Sequence, residues 1–515
     1  MKLRNLFLIF IFFSVHTFSQ VSVEKKQLNN KVRLSYAYLN MPVDKVSYQL
    51  HPTMSFAGLH YNIPINSWLY TGGNFHFGLT GDQGGIFTLG VNIGINTRIY
   101  KNLYFDSYIH FGGGGGYRSL VSGGAIINPN IGLQYKKNGY SFGIQYSKYN
   151  FFKGLINDDA VSVFIEILTT LRYLKYSSIS NEIKAGDLDD EEFTSQPAVK
   201  NVQQIRFDYF FPFGNSRKDA TENYALIDET LYLLGFEYQK YLTEKTYIYV
   251  HTDAIYKGLT AGFMDLFIGV GHNFVSTKHI NLFAKAGIGA AGGRIAPEGG
   301  LTAYPSIGMD YKFSDNFALS AHAGMHKALD GDFEAYTLGF GIKYLGLSGG
   351  FVDPFSEKKY NKIKTQGIRV AIFNQSYFNM AKFGIPFSDI QMIATKLYYD
   401  INHRFYLSGE ASFAYLGKSG GYAHGLFSPG IISNTFLNDK ISLFAEFGVG
   451  VAGGGRVDTG EGIIVKPIAG INFHANDDLW LSISGGKIIS PFGNVNSTTF
   501  NIGLSYGFSI MNTKK

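Results

Sequence analysis

The same pattern of residues occurs three times along this chain, at 103–135, 282–311 and 443–473. Each copy begins with alternating apolar residues, continues into glycines, and places an Arg eleven residues before a Pro. The three pairs are Arg118 and Pro129, Arg294 and Pro305, and Arg456 and Pro467. An identical spacing in three places identifies an internal repeat, so the fold must be built from three similar units.

A second marker gives the same period. A triplet of apolar residue, Arg and apolar residue is centred on Arg33, Arg206 and Arg369. The steps from one of these arginines to the next nearly equal the steps from one repeated proline to the next, and in both cases the first step is the longer one. Because two independent markers agree, we predict three repeats of similar length joined by linkers.

Strict alternation of apolar with small or polar residues predicts strands along most of the chain. In 500–508, for example, Phe500, Ile502, Leu504, Tyr506 and Phe508 alternate with Asn501, Gly503, Ser505 and Gly507. This period of two is that of a β-strand with one apolar face. Counting such stretches gives eight strands per repeat, joined by connections that are alternately tight and longer.

The N-terminal segment 1–19 has the layout of a secretory signal peptide. Lys2 and Arg4 form a basic start, and the apolar run 6–15 is too short to span a bilayer. We therefore expect processing near Ser19 and Gln20. The sequence has no Cys, which excludes disulfides and thiolate metal sites. Beyond this segment no apolar stretch is long enough for a transmembrane helix, so none is predicted.

Alternating strands, alternately short and long connections, and the aromatic-ended strand Phe500–Phe508 together resemble the eight-stranded outer-membrane β-barrel family of Gram-negative bacteria, repeated three times. The resemblance implies an all-β, transmembrane, antiparallel up-and-down β-barrel in the cell outer membrane. It also implies contact with outer-membrane lipids and, during biogenesis, with the outer-membrane assembly machinery. The chain departs from the family in the tail Ser509–Lys515 after the final aromatic residue.

Backbone chemistry supports a membrane barrel independently. In hydrocarbon every N–H and C=O must be paired within the protein, so a strand protein must close on itself. A soluble β-repeat protein is the alternative, but it would place charge on its polar face. Here that face is rich in glycine, and only 16% of all residues are charged.

The domain organisation follows from the repeats. We predict a signal peptide at 1–19, repeats at 20–169, 203–346 and 367–510, an acidic linker at 170–202, a basic linker at 347–366, and a tail at 511–515. The acidic residues are Asp187, Asp189, Asp190, Glu191 and Glu192, and the basic ones are Lys358, Lys359, Lys362 and Lys364. Separate tandem barrels are favoured over one 24-stranded barrel, because a continuous wall would need only tight turns where the linkers lie.

Charged residues at inward-facing strand positions are the candidate site. They are Arg33, Asp106, Arg206, Asp208, Asp253, Lys285, Arg369, Glu410 and Glu446. A charge inside a narrow barrel needs a partner, because desolvation is otherwise costly. We interpret these residues as Arg–carboxylate networks that plug each lumen; a proton or ion path is the alternative. In repeat 2, Lys285 occupies the position that a carboxylate holds in the other repeats. We therefore expect Asp208 or Asp253 to supply the negative charge that pairs with the arginine.

Arg118, Arg294 and Arg456 are predicted at the outer end of the fifth strand of each repeat. Two roles fit them: bidentate contacts to lipopolysaccharide phosphates, or a rim salt bridge or hydrogen bond that fixes the loop, which is favoured. The prolines eleven residues later cannot donate to a strand ladder and predict a bulge or a strand start.

No feature of the sequence indicates catalysis. The glycine patterns at 287–292 and 448–453 match a dinucleotide fingerprint but lead into strands instead of a helix. The 13 His are dispersed, and the net charge of +6 is scattered, so no catalytic residue, cofactor, metal or nucleic-acid partner is predicted. We predict a non-enzymatic structural or binding protein that uses its longer loops. The alternatives are a pore or transporter built as one large barrel, and a lipid-modifying enzyme. The oligomeric state is left open.

Overall fold

The structure is a computed structural model that describes residues 25–46, 50–116, 118–185, 194–219, 223–260, 262–295, 299–356, 358–384 and 386–513. The predicted signal peptide at 1–19 and the acidic residues of the first linker, 187–192, lie outside the described residues. No helix in the described part of the chain is long and apolar enough to cross a membrane.

Repeat 1 consists of eight strands in chain order. They are β1 (Lys25–Asn40), β2 (Thr53–Pro64), β3 (Leu69–Thr80), β4 (Phe87–Tyr100), β5 (Leu103–Gly115), β6 (Ile126–Lys137), β7 (Tyr140–Phe151) and β8 (Asn157–Leu174). A 3₁₀ turn (Val43–Lys45) and the short helix α1 (Arg118–Val121) lie in its loops. The first linker contains the short strand β9 (Glu182–Lys184).

Repeats 2 and 3 contain eight strands each. Those of repeat 2 are β10 (Val199–Phe213), β11 (Leu231–Tyr241), β12 (Thr246–Lys257), β13 (Met264–Ser276), β14 (Ile280–Gly292), β15 (Leu301–Lys312), β16 (Phe317–Ala328) and β17 (Glu334–Ser348). Those of repeat 3 are β18 (Lys362–Met380), β19 (Ser388–Asp400), β20 (Phe405–Leu416), β21 (Ala423–Ile432), β22 (Ile441–Gly453), β23 (Ile463–His474), β24 (Leu479–Ile489) and β25 (Asn496–Thr513).

The first strand of each repeat pairs with the last strand of the same repeat. β1 pairs antiparallel with β2 and with β8, so the first eight strands form a closed barrel. β10 likewise pairs with β11 and β17, and β18 pairs with β19 and β25. Between repeats the strands share isolated pairs, such as Ser348 with Asn512 and Ser509 with Leu174.

The alternation in the sequence separates an apolar exterior from a polar interior. On β25 the outward Phe500 and Leu504 are 45% and 50% exposed, whereas the inward Asn501 and Ser505 are 1% and 3% exposed. A water-soluble sheet would bury the apolar set instead. The exposed apolar side chains therefore face lipid, and the polar ones fill the interior.

The connections alternate in length as predicted. Eight of the nine connections on one side are two to four residues long, the exception being 433–440. Those on the other side run from five residues (152–156) to seventeen (214–230). Several tight turns are fixed by a side chain: Asn402 Oδ1, for example, accepts hydrogen bonds from the backbone N–H of Arg404 and Phe405.

The repeated prolines interrupt the ladder between the sixth and seventh strands of each repeat. Around Pro129 the pairs Ile127 with Asn150 and Asn130 with Ser147 are formed, and nothing pairs between them. The gap covers two residues on each strand, so it is not the predicted bulge, and Pro129 lies inside β6 instead of at its start. The absent N–H of proline accounts for the gap.

The two linkers pair with each other on the short-turn side. β9 pairs antiparallel with Lys362–Lys364 at the start of β18, and Lys362 Nζ lies 2.5 Å from Glu182 Oε1. Buried apolar side chains hold this region together: Leu174, Ile183, Phe351, Ile363 and Met511. The strands thus extend into segments predicted as linkers, and β25 continues into the predicted tail as far as Thr513.

Glycines bring the repeats into close contact on the long-loop side. The loop between the third and fourth strands of each repeat has Gly as its first and fifth residues: Gly81 and Gly85, Gly258 and Gly262, Gly417 and Gly421. A Cβ added at Gly115 would lie 1.7 Å from Gly421 Cα, and one at Gly292 would lie 2.1 Å from Gly85 N. One at Gly262 would lie 3.6 Å from Gly454 N.

These contacts run head to tail around a common centre. The glycine loop of repeat 1 meets the end of β14 in repeat 2, that of repeat 2 meets the end of β22 in repeat 3, and that of repeat 3 meets the end of β5 in repeat 1. Apolar side chains from all three repeats pack together between the walls: Ala57, Phe77, Phe87, Leu266, Ala290 and Phe413. The arrangement is that of a ring of three similar units.

We predict that Gly115→Ala destabilises the folded chain by about 1–3 kcal/mol, because the added methyl group must push repeats 1 and 3 apart. The measurement is the free energy of unfolding in detergent. The fraction of folded protein is read from the difference in SDS gel mobility between heated and unheated samples. Gly409→Ala is the matched control, since a Cβ there meets no atom within 4 Å in the described structure. Equal effects of the two variants would contradict a tight contact.

Candidate functional site

The strand-one arginines occupy equivalent buried places in the three repeats. Arg33, Arg206 and Arg369 are 1%, 0% and 3% exposed. Each lies on the inward side of β1, β10 or β18, because the residue that follows it (Leu34, Phe207 or Val370) is more than 40% exposed on the outward side. Each guanidinium is therefore held inside a repeat, away from bulk water.

In repeat 1, Arg33 lies between two carboxylates. Its Nη1 is 2.9 Å from Asp106 Oδ2, and its Nε and Nη2 are 3.0 and 2.9 Å from Glu166 Oε2. Side-chain amides complete the network, since Asn96 and Gln145 donate to Asp106 and Gln134 donates to Glu166. The pairing of both carboxylates is what a buried charge requires.

In repeat 2, Arg206 contacts a different set. Its Nε and Nη2 donate to Asp208 Oδ2 at 2.9 and 2.8 Å, and its Nη1 donates to Glu237 Oε2 at 2.5 Å. Lys285 Nζ donates to the same Glu237 oxygen at 2.5 Å. Asp208 is thus the carboxylate beside Arg206, whereas Asp253 pairs with a ring nitrogen of His251 at 2.6 Å.

In repeat 3 the predicted residues divide into two groups. Arg369 Nη2 is 2.9 Å from Asp400 Oδ1, and the rings of Tyr398 and Trp480 lie 4.4 and 4.7 Å from its guanidinium. Glu446 and Glu410 instead contact Lys396. Glu410 also accepts from Lys466 at 2.8 Å. Glu446 occupies the place of Asp106 in the repeat without pairing with the strand-one arginine.

Several members of these networks were not singled out from the sequence: Glu166, Glu237, Lys396, Asp400 and Lys466. All five lie on even-numbered strands of their repeats. The signal that identifies them is the same period of two, which places all five on the inward, buried side of their strands.

Above the networks, buried apolar clusters close the long-loop end of each repeat. Loop residues contribute to them, such as Leu120 and Ile156 in repeat 1, Ile227 and Phe333 in repeat 2, and Val457 and Val495 in repeat 3. A cavity of about 340 Å³ opens at the short-turn end of repeat 1, beside Lys31, Lys136 and Glu166. It ends at the buried network of Arg33.

The predicted rim arginines act on their loops through the backbone. Arg294 and Arg456 both adopt left-handed conformations, with φ of 61° and 59°. The carbonyl oxygen of Arg294 accepts a hydrogen bond from Asp219 N at 3.2 Å, and that of Arg456 accepts one from Phe383 N at 2.9 Å. Arg118 begins α1, and its side chain lies outside the described part. Contacts to lipopolysaccharide stay a prediction.

The glycine patterns at 287–292 and 448–453 lie within β14 and β22. Neither is followed by a helix, so neither can hold a pyrophosphate as the dinucleotide fingerprint does. Gly292 instead lies at the contact with Gly85 of repeat 1. The pattern thus serves close approach of two backbones.

No family model matches the chain, and no curated protein matches it. Among solved structures, a mutant of the ferric enterobactin receptor of Pseudomonas aeruginosa is 9% identical with a TM-score of 0.27, covering 93% of this chain and 81% of that chain. The siderophore receptor PirA of Acinetobacter baumannii is 10% identical with a TM-score of 0.26, covering 95% and 81%. Pseudomonas aeruginosa OccK11 is 10% identical with a TM-score of 0.21, covering 94% and 96%.

The strands themselves define the class and the compartment. The chain is an integral β-barrel protein of the outer membrane, because strands pair first to last, apolar side chains face outward, and polar side chains fill the interior. The lipid-facing strands leave the loops and the interior as the places where a function can reside.

We predict that Arg33→Ala lowers the free energy of unfolding by about 3–5 kcal/mol, because it leaves Asp106 and Glu166 buried without their shared cation. The measurement is urea unfolding in detergent. Lys148→Ala is the matched control: it removes an ion pair to Asp159 in which both side chains are more than 40% exposed, and its effect is expected below about 1 kcal/mol. A loss for Arg33→Ala as small as that of the control would contradict a structural network.

Proposed function

We propose that the chain forms three tandem eight-stranded barrels that do not conduct, and that it serves as a non-enzymatic structural or binding protein through its long-loop surface. The observation that carries this proposal is the filling of each interior. In every repeat a buried ion-pair network lies beneath an apolar cluster, and both consist of the chain's own side chains.

Strand pairing supports separate barrels over a single wall of 24 strands. The first and last strands of the repeats share 13, 15 and 16 residue pairs. A single wall would need ladders of similar length from β8 to repeat 2 and from β17 to repeat 3. Between repeats the described strands instead share single pairs or the short pairing of β9 with β18.

Barrel size supports the absence of a channel. Eight strands enclose a space that side chains can fill, whereas walls of 16 or more strands enclose water or a plug. The interior positions of repeat 3, for example, hold large aromatic residues such as Tyr377 and Tyr406, which are 0% and 2% exposed. Side chains of this size fill much of the narrow interior of an eight-stranded barrel, which supports a closed lumen.

The long-loop side is the proposed working surface. Its loops carry exposed apolar side chains, among them Leu50, Phe387 and Phe492, which are 78%, 67% and 63% exposed. Exposed apolar side chains on a loop surface favour contact with another molecule. Phosphates of lipopolysaccharide near Arg294 and Arg456 are one proposed contact, since Arg binds phosphate bidentately.

The first test is electrical. Purified full-length protein in a planar lipid bilayer is expected to give no steady conductance, because ion-pair networks and apolar clusters occupy each interior. Nanosiemens steps would favour the alternative of a pore or transporter built as one large barrel. The variant Arg33→Ala then distinguishes plugged small barrels from one large pore. Small conductance steps that appear only in this variant would support plugged small barrels.

The second test concerns the arrangement of the repeats. A protease site inserted at 186–193 is expected to release an N-terminal fragment that keeps its own heat-dependent mobility in SDS, because repeat 1 closes without strands from the others. Uncut protein carrying the insertion is the control. Loss of folded mobility from both fragments on cutting would favour one continuous wall.

A further inference from the structure

The short-turn end of repeat 1 differs from the same end of the other repeats in its balance of charge. The short turns of repeat 1, at 65–68, 101–102 and 138–139, contain no Asp or Glu. Those of repeats 2 and 3 contain five such residues: Glu244, Asp315, Asp439, Asp477 and Asp478. Basic residues occur in or beside the turns of repeat 1, at Arg98, Lys101, Lys136 and Lys137. An anion that approaches this end of repeat 1 therefore meets a positive field.

Two lysines from separate strands meet at this end. Lys31 of β1 and Lys136 of β6 have the same inward parity as the buried Arg33 and Gln134. Their ammonium groups interact directly as like charges, and both side chains line the cavity of about 340 Å³. Like charges that are held together in a half-buried place repel, so the pair is stable only where negative charge lies close to it.

The chain supplies that negative charge to only one of the two lysines. Lys31 Nζ is 3.2 Å from Glu166 Oε1. Lys136 Nζ instead donates to Asn96 Oδ1 and lies 3.6 Å from the centre of the Tyr104 ring, and both of these partners are neutral. Among the described residues, no carboxylate lies within ion-pair distance of Lys136. A half-buried ammonium group beside the cavity is thus left without a carboxylate partner.

We propose that this cavity binds one phosphate group, carried by a lipid headgroup or present as free phosphate. The short turns of an outer-membrane barrel face the periplasm, so the site lies on the opposite side from the long-loop surface and does not depend on it. Lysine binds phosphate as a point charge, and two ammonium groups line one wall of the cavity. Its volume lies within the range of small-molecule sites, roughly 300–1,000 Å³.

Further polar groups of the lining suit a phosphate. Ser141 and Asn102 line the same cavity, and in the described chain neither side chain forms a hydrogen bond. A hydroxyl and an amide are thus available to the remaining phosphate oxygens. Glu166 also lines the cavity, but its oxygens already accept hydrogen bonds from Gln134 at 2.6 Å and from Arg33 at 3.0 Å. Its charge is therefore neutralised within the buried network.

Only repeat 1 has lysine at both positions. Seven residues after the repeated proline, repeat 2 has Lys312 and repeat 3 has His474. Two residues before the strand-one arginine, repeat 2 has Gln204 and repeat 3 has Gly367. Lys312 thus occupies the place of Lys136 without a second lysine beside it. This difference makes Lys312→Gln the matched control for Lys136→Gln.

The first measurement is calorimetric titration of folded full-length protein with inorganic phosphate, in a neutral detergent and a phosphate-free buffer of low ionic strength. Wild-type protein is expected to bind about one phosphate per chain. Lys136→Gln is expected to weaken binding at least about tenfold, because a charge-assisted hydrogen bond is lost, and Lys312→Gln to change it less than about threefold. A parallel titration with short-chain phosphatidylglycerol distinguishes the sources: tighter binding than that of inorganic phosphate identifies a lipid headgroup, and weaker binding identifies free phosphate.

The second measurement separates binding from folding. Phosphate should raise the urea midpoint of wild-type protein, because it binds only the folded state, and should leave that of Lys136→Gln unchanged. Without phosphate, Lys136→Gln should be at least as stable as wild-type protein, since the variant removes the repulsion from Lys31. No saturation of wild-type protein below about 10 mM of either ligand, or binding by Lys136→Gln as tight as that by Lys312→Gln, would overturn the site.

Discussion

The pairing of first and last strands is the interaction on which the whole structure depends. In hydrocarbon an unpaired backbone N–H or C=O costs several kcal/mol, and a strand left at an edge exposes a row of them. β1 with β8, β10 with β17, and β18 with β25 remove those edges one repeat at a time. Outward apolar side chains and a narrow interior then follow, because eight strands set both the curvature and the enclosed width.

The local part of this design could be predicted from the sequence. A period of two is carried by adjacent residues, so the strands, their number per repeat and the inward direction of Arg33 were all accessible. The partner of each charge was not accessible. Arg369 and Glu446 occupy the same places as Arg33 and Asp106, yet Glu446 binds Lys396 and Arg369 binds Asp400. That choice depends on charges contributed by strands far apart in sequence.

The linkers illustrate the same limit. The charges of the two linkers can be read from the sequence. The contact between the linkers, however, comes from backbone pairing of β9 with β18 and from apolar residues such as Ile183 and Ile363. Nothing near Ile183 in sequence indicates that its partner lies beyond the whole of repeat 2. The repeated glycines of the loops after the third strands can be found in the sequence, but only the folded chain shows that Gly85, Gly262 and Gly421 each lie against another repeat.

The three interiors differ more than the three walls do. Every outward position of the walls must carry a side chain that is compatible with lipid. In the interior, each buried charge needs only a partner of opposite charge. Equivalent positions on the fifth strands accordingly hold Asp106, Lys285 and Glu446, each with a different set of partners. Joining the repeats in one chain allows such differences, because each copy always occupies the same position in the ring.

The head-to-tail glycine contacts also determine how many repeats can join one another. Each repeat offers one loop face and one strand-five face, and these faces belong to different surfaces, so the contact does not close between two units. A shortened chain with two repeats would retain one unmatched face of each kind. With the repeats as the separate barrels proposed above, such a molecule would have complementary ends and would add further copies of itself. On that arrangement, the third repeat is what limits the assembly to three units in the membrane.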